Sequence, residues 1–386
     1  MILHLYLARR WVRQFLIVGG AFLAILFLID LVEQIRRFGG AGIGLRGTAG
    51  VAALNVAGSF YGILPLIALL AGLSLFLSMS RSSEMAAVRA SGRSGLRALS
   101  APVIAATLVG AACVAILNPI VAGTSKRYDA AVARIDRQGQ QTVSLGEGAV
   151  WLRQGLPAGQ VPGTPQAGAA AAQTDAGSEG GQIVIRATRA SPDATTLYDP
   201  TFIVFTPGAG PTMRFEAQSA QLEPGAWLLR GVKEWPLAAD NPEVAARDLP
   251  MLRLPTELTA ARIRDGFGAP DAIPVWQLPG FIRGLESAGF SAMRHRVWLQ
   301  MELARPFLMG AMVLIAAAFA MRPTRGRRIA AMVLGGFGAG LALFFLRNLA
   351  QVLGETGQVP PVMAAFAPVA VAVMLALALL LKLEEG

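Results

Sequence analysis

The sequence has few of the residues that enzyme sites most often use. It has one cysteine among 386 residues, Cys113, so an internal disulfide is excluded. Its two histidines, His4 and His295, show no metal-ligand spacing such as H-E-x-x-H. Lysine occurs only at positions 126, 233 and 382, never after a glycine, which excludes a G-x-x-x-x-G-K-[ST] phosphate loop. A G-x-S-x-G nucleophile elbow is also absent. We therefore predict that the chain has no catalytic site, no metal and no cofactor of its own.

The chain is rich in apolar residues and in arginine. Hydrophobic residues make up 54% of it, and the mean hydropathy is +0.52, too apolar for a soluble domain of this length. The net charge of +10 is carried almost entirely by arginine. In so apolar a chain an arginine excess indicates membrane orientation rather than binding to nucleic acid.

Six apolar stretches are each long enough to cross a bilayer, which takes about 20 residues. They lie approximately at 15–35, 51–79, 98–121, 301–321, 329–349 and 360–382. Three precede and three follow a long polar, turn-rich segment. The pattern predicts an α-helical membrane protein with six transmembrane helices (3+3) and one inserted soluble domain, and it limits the function to transport, anchoring or intramembrane chemistry.

Arginines in the connecting loops predict the orientation. The loops after the second and fourth spans are arginine-rich, whereas the loop after the fifth has one acid and no base. The positive-inside rule then places both termini in the cytoplasm and the insert 122–300 outside, which in a Gram-negative cell is the periplasm. Arg36 and Arg37 break this pattern at the outer end of the first span. Two explanations stay open for them: interfacial snorkelling, or a cationic collar for an anionic ligand.

The insert has the composition of an all-β domain. Short stretches rich in Val, Ile, Phe, Trp and Thr are bounded by Gly, Pro and Asp, which predicts a sandwich or a jelly roll. These strands are expected at 141–152, 182–189, 197–205, 212–222 and 226–235. Residues 155–181 are predicted to be a disordered loop, and 275–290 a short helix. An apolar β interior suits an acyl-chain conduit and a passive interaction domain equally well.

The segment 81–94 is predicted to be a short cytoplasmic helix. Ser82 or Ser83 can cap the start of this helix, and Gly92 can end it. Glu84 lies near the N-terminus, where the positive end of the helix dipole favours an acidic side chain. It is either a plain connection between two helices or a coupling helix that docks into a groove of an ATPase. Its small side chains and its single acid favour docking.

Four stretches of the chain resemble the lipopolysaccharide-export permease family LptF/LptG (YjgP/YjgQ). They are Leu31–Gly39 (LVEQIRRFG), Ser83–Gly92 (SEMAAVRASG), Phe215–Leu229 (FEAQSAQLEPGAWLL) and Gln358–Pro368 (QVPPVMAAFAP). The order of helices and β domain is also similar, so the resemblance covers the whole chain. The proline pattern of the last stretch is more like LptG than LptF.

The resemblance implies a half-transporter without its own ATPase site. An LptF-like chain would pair with it, two LptB-like subunits would bind and hydrolyse ATP, and an LptC-like protein would receive the lipopolysaccharide from a jelly-roll-like β domain. The implied domains are 1–121 with a coupling helix at 81–94, a β domain at 122–274, a connecting helix at 275–300, and 301–386. The alternative is a non-transporting membrane scaffold whose β domain binds a periplasmic partner.

The same resemblance gives three sets of expected site residues. Arg36 and Arg37 would contact the lipid headgroup, beside a gate wall formed by Leu341, Phe344, Phe345 and Leu349. Gly336 and Gly340, spaced as small-xxx-small, would allow close helix approach near that wall. ATPase coupling would use Ser83, Glu84, Arg89, Ser91 and Gly92. The lipid path through the β domain would pass Phe202, Val204 and Phe215.

Overall fold

The computed structural model divides into two compact units. The helical unit consists of Met1–Ile135, Pro270–Pro279 and Met293–Gly386, and the β unit of Asp136–Ala269 and Gly280–Ala292. The structure describes residues 2–39, 44–82, 84, 95–136, 143–146, 149–155, 181–191, 193–206, 208–256, 258–260, 263, 269–321 and 329–385. The expected disordered loop 155–181 lies almost entirely outside this set, and so does most of the expected coupling helix.

Long apolar helices form the helical unit. They are α1 (Ile2–Phe38), α2 (Leu45–Arg81), α3 (Gly95–Ala112), α4 (Asn118–Asp136), α6 (Met293–Ala320), α7 (Ile329–Glu355) and α8 (Pro361–Glu385). A π-helical turn, Cys113–Leu117, joins α3 to α4 without a break. Within the described residues, six continuous helices are long and apolar enough to span a membrane, as the hydropathy of the sequence predicts.

The third of these helices runs further than predicted. We expected it to end at residue 121, but the chain stays helical to Asp136. The π turn has a local cause, because Pro119 has no backbone N–H to donate to the carbonyl of Ala115. The indole Nε1 of Trp276 donates to that carbonyl instead, at 3.2 Å. Next to it, the backbone N–H of Val275 donates to Oδ1 of Asn118 at 2.8 Å. These two bonds hold the segment before α5 (Leu278–Ser287) on the helical unit.

Helix α6 lies at the centre of the helical unit. It packs against α2, α3, α7 and α8, and most of its side chains are buried. Gly72 of α2 allows one close approach, since a Cβ placed there would lie 2.8 Å from the Cβ of Ala316. By contrast, α1, α7 and α8 keep many large apolar side chains exposed, as expected for helices that face lipid or another apolar surface.

The β unit is one antiparallel sheet. Its strands are β1 (Val143–Gly146), β2 (Ala149–Gly155), β3 (Gln182–Ala187), β4 (Arg189–Ala190), β5 (Thr196–Tyr198), β6 (Thr201–Thr206), β7 (Gly210–Glu223), β8 (Ala226–Pro236) and β9 (Arg247–Pro255). The order is β1-β2-β3-β6-β7-β5-β4, with β8 between β7 and β9. The long strand β7 therefore pairs with β6 and β5 along its length and also with β8.

The predicted strands are present, with corrected ends. The stretch 141–152 contains two strands, β1 and β2, and the stretch 197–205 also contains parts of two, β5 and β6. Strand β9 was missed because its sequence, RDLPMLRLP, carries three charges and an internal proline. Among the described strands it pairs with β8 alone, and it is mostly exposed, so an edge position tolerates that composition. The predicted helix at 275–290 is α5, three residues shorter at each end.

Candidate functional site

A cluster of polar side chains lies inside the helical unit, and we call Tyr61, Glu302, Arg305 and Arg347 the intramembrane polar cluster. Its members come from α2, α6 and α7 and are between 0% and 8% exposed. Glu302 and Arg305 are three residues apart on α6, so they share one helix face. Ionisable residues inside membrane spans are costly and often functional, which makes this cluster the first candidate site.

Hydrogen bonds connect three members of the cluster. Nη2 of Arg305 donates to Oε1 of Glu302 at 2.6 Å, and the Tyr61 hydroxyl donates to the other carboxylate oxygen. Nη1 of Arg305 donates to the backbone carbonyl of Tyr61 at 2.8 Å. The Arg305 guanidinium also lies over the Tyr61 ring, 3.9 Å from its centroid, a distance suited to a cation–π contact. Every oxygen of the buried carboxylate is therefore satisfied, and α2 is tied to α6.

Arg347 brings a second cation to the same place. It is 8% exposed, and the charges that act on it are the like charge of Arg305 and, less strongly, the carboxylate of Glu302. The described residues supply no hydrogen bond to its guanidinium. The cluster thus holds two guanidinium groups against one carboxylate.

Sequence reasoning missed all four residues of this cluster. The signal was available, because Glu302 and Arg305 fall in the fourth predicted span and Arg347 in the fifth. A charge within an apolar stretch is by itself a functional-site hypothesis in a membrane protein. What the sequence did not show is that the three charges and Tyr61 meet.

The C-terminal end of α2 carries a second group of polar contacts, around Glu84. Its Oε2 accepts from Nη1 of Arg10 at 2.7 Å, and its Oε1 accepts from the Ser82 hydroxyl at 2.9 Å. Arg10 also donates to the Ser78 hydroxyl at 3.2 Å. The side chains of Arg10 and Glu84 are 24% and 36% exposed. Glu84 thus has a partner within its own chain, on α1; Ser83, Arg89, Ser91 and Gly92 lie outside the described residues.

Arg36 and Arg37, which break the positive-inside pattern, lie in the last turn of α1. Arg36 donates to Oε1 of Glu33 at 2.9 Å, in a pair whose side chains are 78% and 52% exposed. Arg37 lies over the ring of Phe38, 5.1 Å from its centroid. A pair this exposed to solvent holds the Arg36 guanidinium only weakly, so a ligand can compete with Glu33 for it.

The expected gate wall is one face of α7. Phe345 and Leu349 are 63% and 56% exposed, and Leu341 and Phe344 are half-buried. Within this chain α1 packs mainly on α2 and α3, whereas α7 packs mainly on α6 and α8. The structure therefore groups the four wall residues on one helix but does not place them beside Arg36 and Arg37.

Glycines behind this face confirm the predicted close approach of α7. A Cβ at Gly336 would lie 2.9 Å from Cδ2 of Leu73, and one at Gly340 only 2.2 Å from Cδ2 of Leu69. Both leucines belong to α2, so the small-xxx-small spacing allows α7 and α2 to touch.

An apolar pocket of about 240 Å³ also lies between α6, α7 and α8, with Leu343 and Leu346 in its lining.

In the β unit, the three residues proposed for the lipid path share one buried face. Phe202 and Val204 are 0% exposed and Phe215 is 2% exposed. Phe202 lies directly opposite Phe215 in the β6–β7 register, and it meets Trp227 edge-to-face at 6.2 Å between centroids. The inward direction of these side chains, which the sequence left open, is thereby established. Their apolar surroundings suit an acyl chain chemically.

Groups of histidine, cysteine, aspartate and glutamate with metal-binding geometry are absent from the described part of the chain.

Comparison with known proteins gives one positive finding. The family model described as lipopolysaccharide export system permease LptF/LptG matches residues 5–382. A search of curated proteins finds no match.

Proposed function

Because the chain belongs to the LptF/LptG family of lipopolysaccharide export permeases, we propose that it is one half of a transporter that extracts lipopolysaccharide from the inner membrane. The family is the permease component of the export system and a multi-pass inner-membrane protein, not a catalytic enzyme. The observation that carries the proposal is the match over nearly the whole chain. The six membrane-length helices and the antiparallel β domain support it.

The finer assignments are part of this proposal. The six helices would be arranged 3+3, with both termini cytoplasmic and a jelly-roll-like β domain in the periplasm. The boundaries proposed are 1–121, 122–274, 275–300 and 301–386. An LptF-like chain would complete the pair, since the proline pattern near the last helix resembles LptG. Two LptB-like subunits would bind ATP, so this chain would need no cofactor.

The proposed cargo route has three parts. Arg36 and Arg37 would receive phosphate groups of the lipid, because guanidinium binds phosphate bidentately and keeps its charge. The exposed apolar face of α7 would contact acyl chains. The inward-facing Phe202, Val204 and Phe215 would line the path through the β domain. The apolar exposure of α1 and α7 supports this route, since each helix has an apolar face to offer a partner or a lipid.

Affinity purification of the full chain in mild detergent tests the proposal. We expect a second permease chain, an ATPase subunit and lipopolysaccharide to co-purify, with ATP hydrolysis that rises when lipopolysaccharide is added. A homodimer that purifies without an ATPase would support the alternative, a scaffold whose β domain binds a periplasmic partner.

The double substitution Arg36→Ala/Arg37→Ala should weaken lipopolysaccharide binding roughly tenfold, because it removes hydrogen bonds from charged donors. Stimulated ATPase activity should fall with it, while basal activity and folding stay close to those of the parent. Lysine replacements should keep part of the binding, since the charge remains but the planar fork is lost. Glu33→Gln is the control, because it breaks only the local pair. Parental binding by the double alanine variant would show that the arginines are interfacial anchors.

Glu84→Ala should weaken association with the ATPase, or its lipid-stimulated turnover, more than Arg10→Ala does. Both variants break the same surface ion pair, which contributes about 0–1 kcal/mol. Only the first removes the acid that we propose contacts a base of the ATPase. Co-purification and turnover of the two variants should be measured side by side. Equal effects would mean that Glu84 acts only within its own chain.

A further inference from the structure

One buried hydrogen-bond donor of the β unit has no acceptor. The side chain of Trp227, on β8, is 0% exposed, and none of the described residues accepts a hydrogen bond from its indole Nε1. Within the described residues of the β unit it is the only buried side-chain nitrogen or oxygen without a partner. A buried tryptophan N–H usually has a partner, and leaving one unpaired costs free energy. The unpaired N–H therefore calls for an explanation.

Other polar side chains of this unit are paired. The buried polar side chains of its described residues are Gln154 and Thr256, which are 1% and 7% exposed. The Thr256 hydroxyl donates to Oε1 of Gln154 at 2.5 Å, and Nε2 of Gln154 donates to a backbone carbonyl at the end of β9 at 3.1 Å. On the same strand as Trp227, Nε1 of Trp235 donates to Oε2 of Glu243 at 2.6 Å. The fold thus provides acceptors for its other polar groups, and Trp227 is the exception.

The Trp227 indole lies in the interior that the curved sheet encloses. Phe202 lies opposite Phe215 of β7, whereas Trp227 lies opposite Leu222, seven residues further along that strand. In a flat sheet this offset would separate Phe202 from Trp227 by roughly 20 Å. Their rings nevertheless meet edge-to-face, with 6.2 Å between centroids. Both side chains therefore point into one interior, and Trp227 lies beside the proposed lipid path.

The surroundings of this N–H limit the kind of ligand that it can bind. A donor needs an acceptor, and an apolar interior favours a hydrocarbon body around that acceptor. None of the buried side chains in the described β unit is charged, so a phosphate or carboxylate ion would lose its hydration there with no cation to replace it. The ring of Phe202 is only a weak acceptor. A neutral oxygen on a hydrocarbon chain meets both requirements.

We propose that the Trp227 indole N–H binds a neutral oxygen of an acyl chain, which is an ester or amide carbonyl or a chain hydroxyl, as the lipid passes through the β domain. This contact rests on the proposed function, to which it adds one polar anchor in an otherwise apolar path. Its consequence is selectivity. A chain that carries an oxygen is held at Trp227, whereas a plain hydrocarbon of the same length is not.

The test compares two probes of equal chain length: methyl tetradecanoate, which has an ester carbonyl, and tetradecane, which has no oxygen. The full chain, with isotopically labelled indole nitrogens at its six tryptophans, is titrated with each probe in dodecyl maltoside. The indole N–H signals are followed by NMR, and Trp227→Phe identifies the Trp227 signal by its absence. Trp235→Phe is the matched control, because the Trp235 N–H already has Glu243 as its acceptor.

In the parent, the N–H proton of Trp227 should shift downfield with the ester and not with the alkane, since only the ester supplies an acceptor. The ester should bind about three- to tenfold more tightly than the alkane, the range expected for one net hydrogen bond. Trp227→Phe should lose this preference, whereas Trp235→Phe should keep it. Because the preference is a ratio for two chains of one length, a general loosening of the unit by the smaller ring cancels from it.

The same response of the Trp227 signal to both probes, or to neither, would overturn the proposal. A Trp227→Phe variant that keeps the ester preference would do so as well. If Trp227→Phe does not fold, single phenylalanine substitutions of the other tryptophans assign the Trp227 signal, and its shift in the parent decides.

Lipopolysaccharide-stimulated ATP hydrolysis by the assembled parent complex tests the proposed function separately. If stimulation is absent, the assignment of the cargo fails even where the ester is preferred. If stimulation is present and the parent shows no ester preference, only the Trp227 contact fails.

Discussion

Replacing Arg305 with alanine should remove a large share of the stability of the helical unit. The change leaves the Glu302 carboxylate, which is 0% exposed, with one hydrogen-bond donor in place of two. Breaking a buried pair by removing one partner costs about 3–5 kcal/mol, a large share of the roughly 5–15 kcal/mol that holds a protein folded. The tie between Arg305 and the carbonyl of Tyr61 is lost as well. Thermal unfolding in detergent and the yield of monodisperse protein measure the effect.

Two further variants separate charge from geometry at this position. Arg305→Lys keeps the charge but cannot bond Glu302 and the Tyr61 carbonyl with one planar fork, so we expect an intermediate loss. Arg13→Ala, at an exposed position of α1, should change stability by less than about 0.5 kcal/mol. If Arg305→Ala unfolds at the temperature of the parent, the polar cluster does not stabilise the fold and our account of α2 and α6 is wrong.

Gly340→Ala should destabilise the packing of α7, whereas Gly338→Ala should not. A Cβ at Gly340 would lie 2.2 Å from Cδ2 of Leu69, which is itself 0% exposed and surrounded by the core. Overpacking of this kind costs about 1–3 kcal/mol. At Gly338 a Cβ meets nothing within 4 Å, and alanine in place of glycine within a helix usually adds roughly 0.5–1 kcal/mol of stability. The two variants should therefore move the unfolding temperature in opposite directions.

A double-mutant cycle ties this effect to one contact. Leu69→Ala alone should cost about 2–5 kcal/mol through the cavity it leaves. Combined with Gly340→Ala it should cost less than the sum, because the new methyl group occupies part of that space. Additive losses would mean that the clash is relieved elsewhere and that Gly340 does not set the distance between α2 and α7.

Hydropathy was sufficient to predict the helices, because a membrane span needs a long apolar run and little else. The helix ends were less predictable, since the third helix continues to Asp136 through a polar stretch that hydropathy does not mark as a span. In the β unit, strands with a buried face were found from their composition. Strand β9 was not, because its edge position imposes no alternating pattern.

The site residues likewise divide into those that the local sequence predicts and those that depend on contacts between distant parts of the chain. The closeness of α7 to α2 followed from the spacing of Gly336 and Gly340, a local property of the sequence. The polar cluster joins Tyr61 to residues more than 240 positions later, and the chain gives no local sign of which charges meet. The direction of Phe202 and Phe215 was also open, because a shift of one residue in strand register reverses the face of every side chain. The register of β6 and β7 resolves it.

Photo-crosslinking in the β domain tests the central claim most directly, that this chain passes lipopolysaccharide from the membrane through its β domain. A photoreactive amino acid is placed at Phe202, Val204 or Phe215, with the exposed Met251 of β9 as control, in the complex reconstituted with its ATPase. We expect lipopolysaccharide adducts that increase with ATP at one or more of the three inward positions and not at Met251. Absence of adducts at all three, in a complex that hydrolyses ATP, would contradict the route and favour a β domain that only binds a partner.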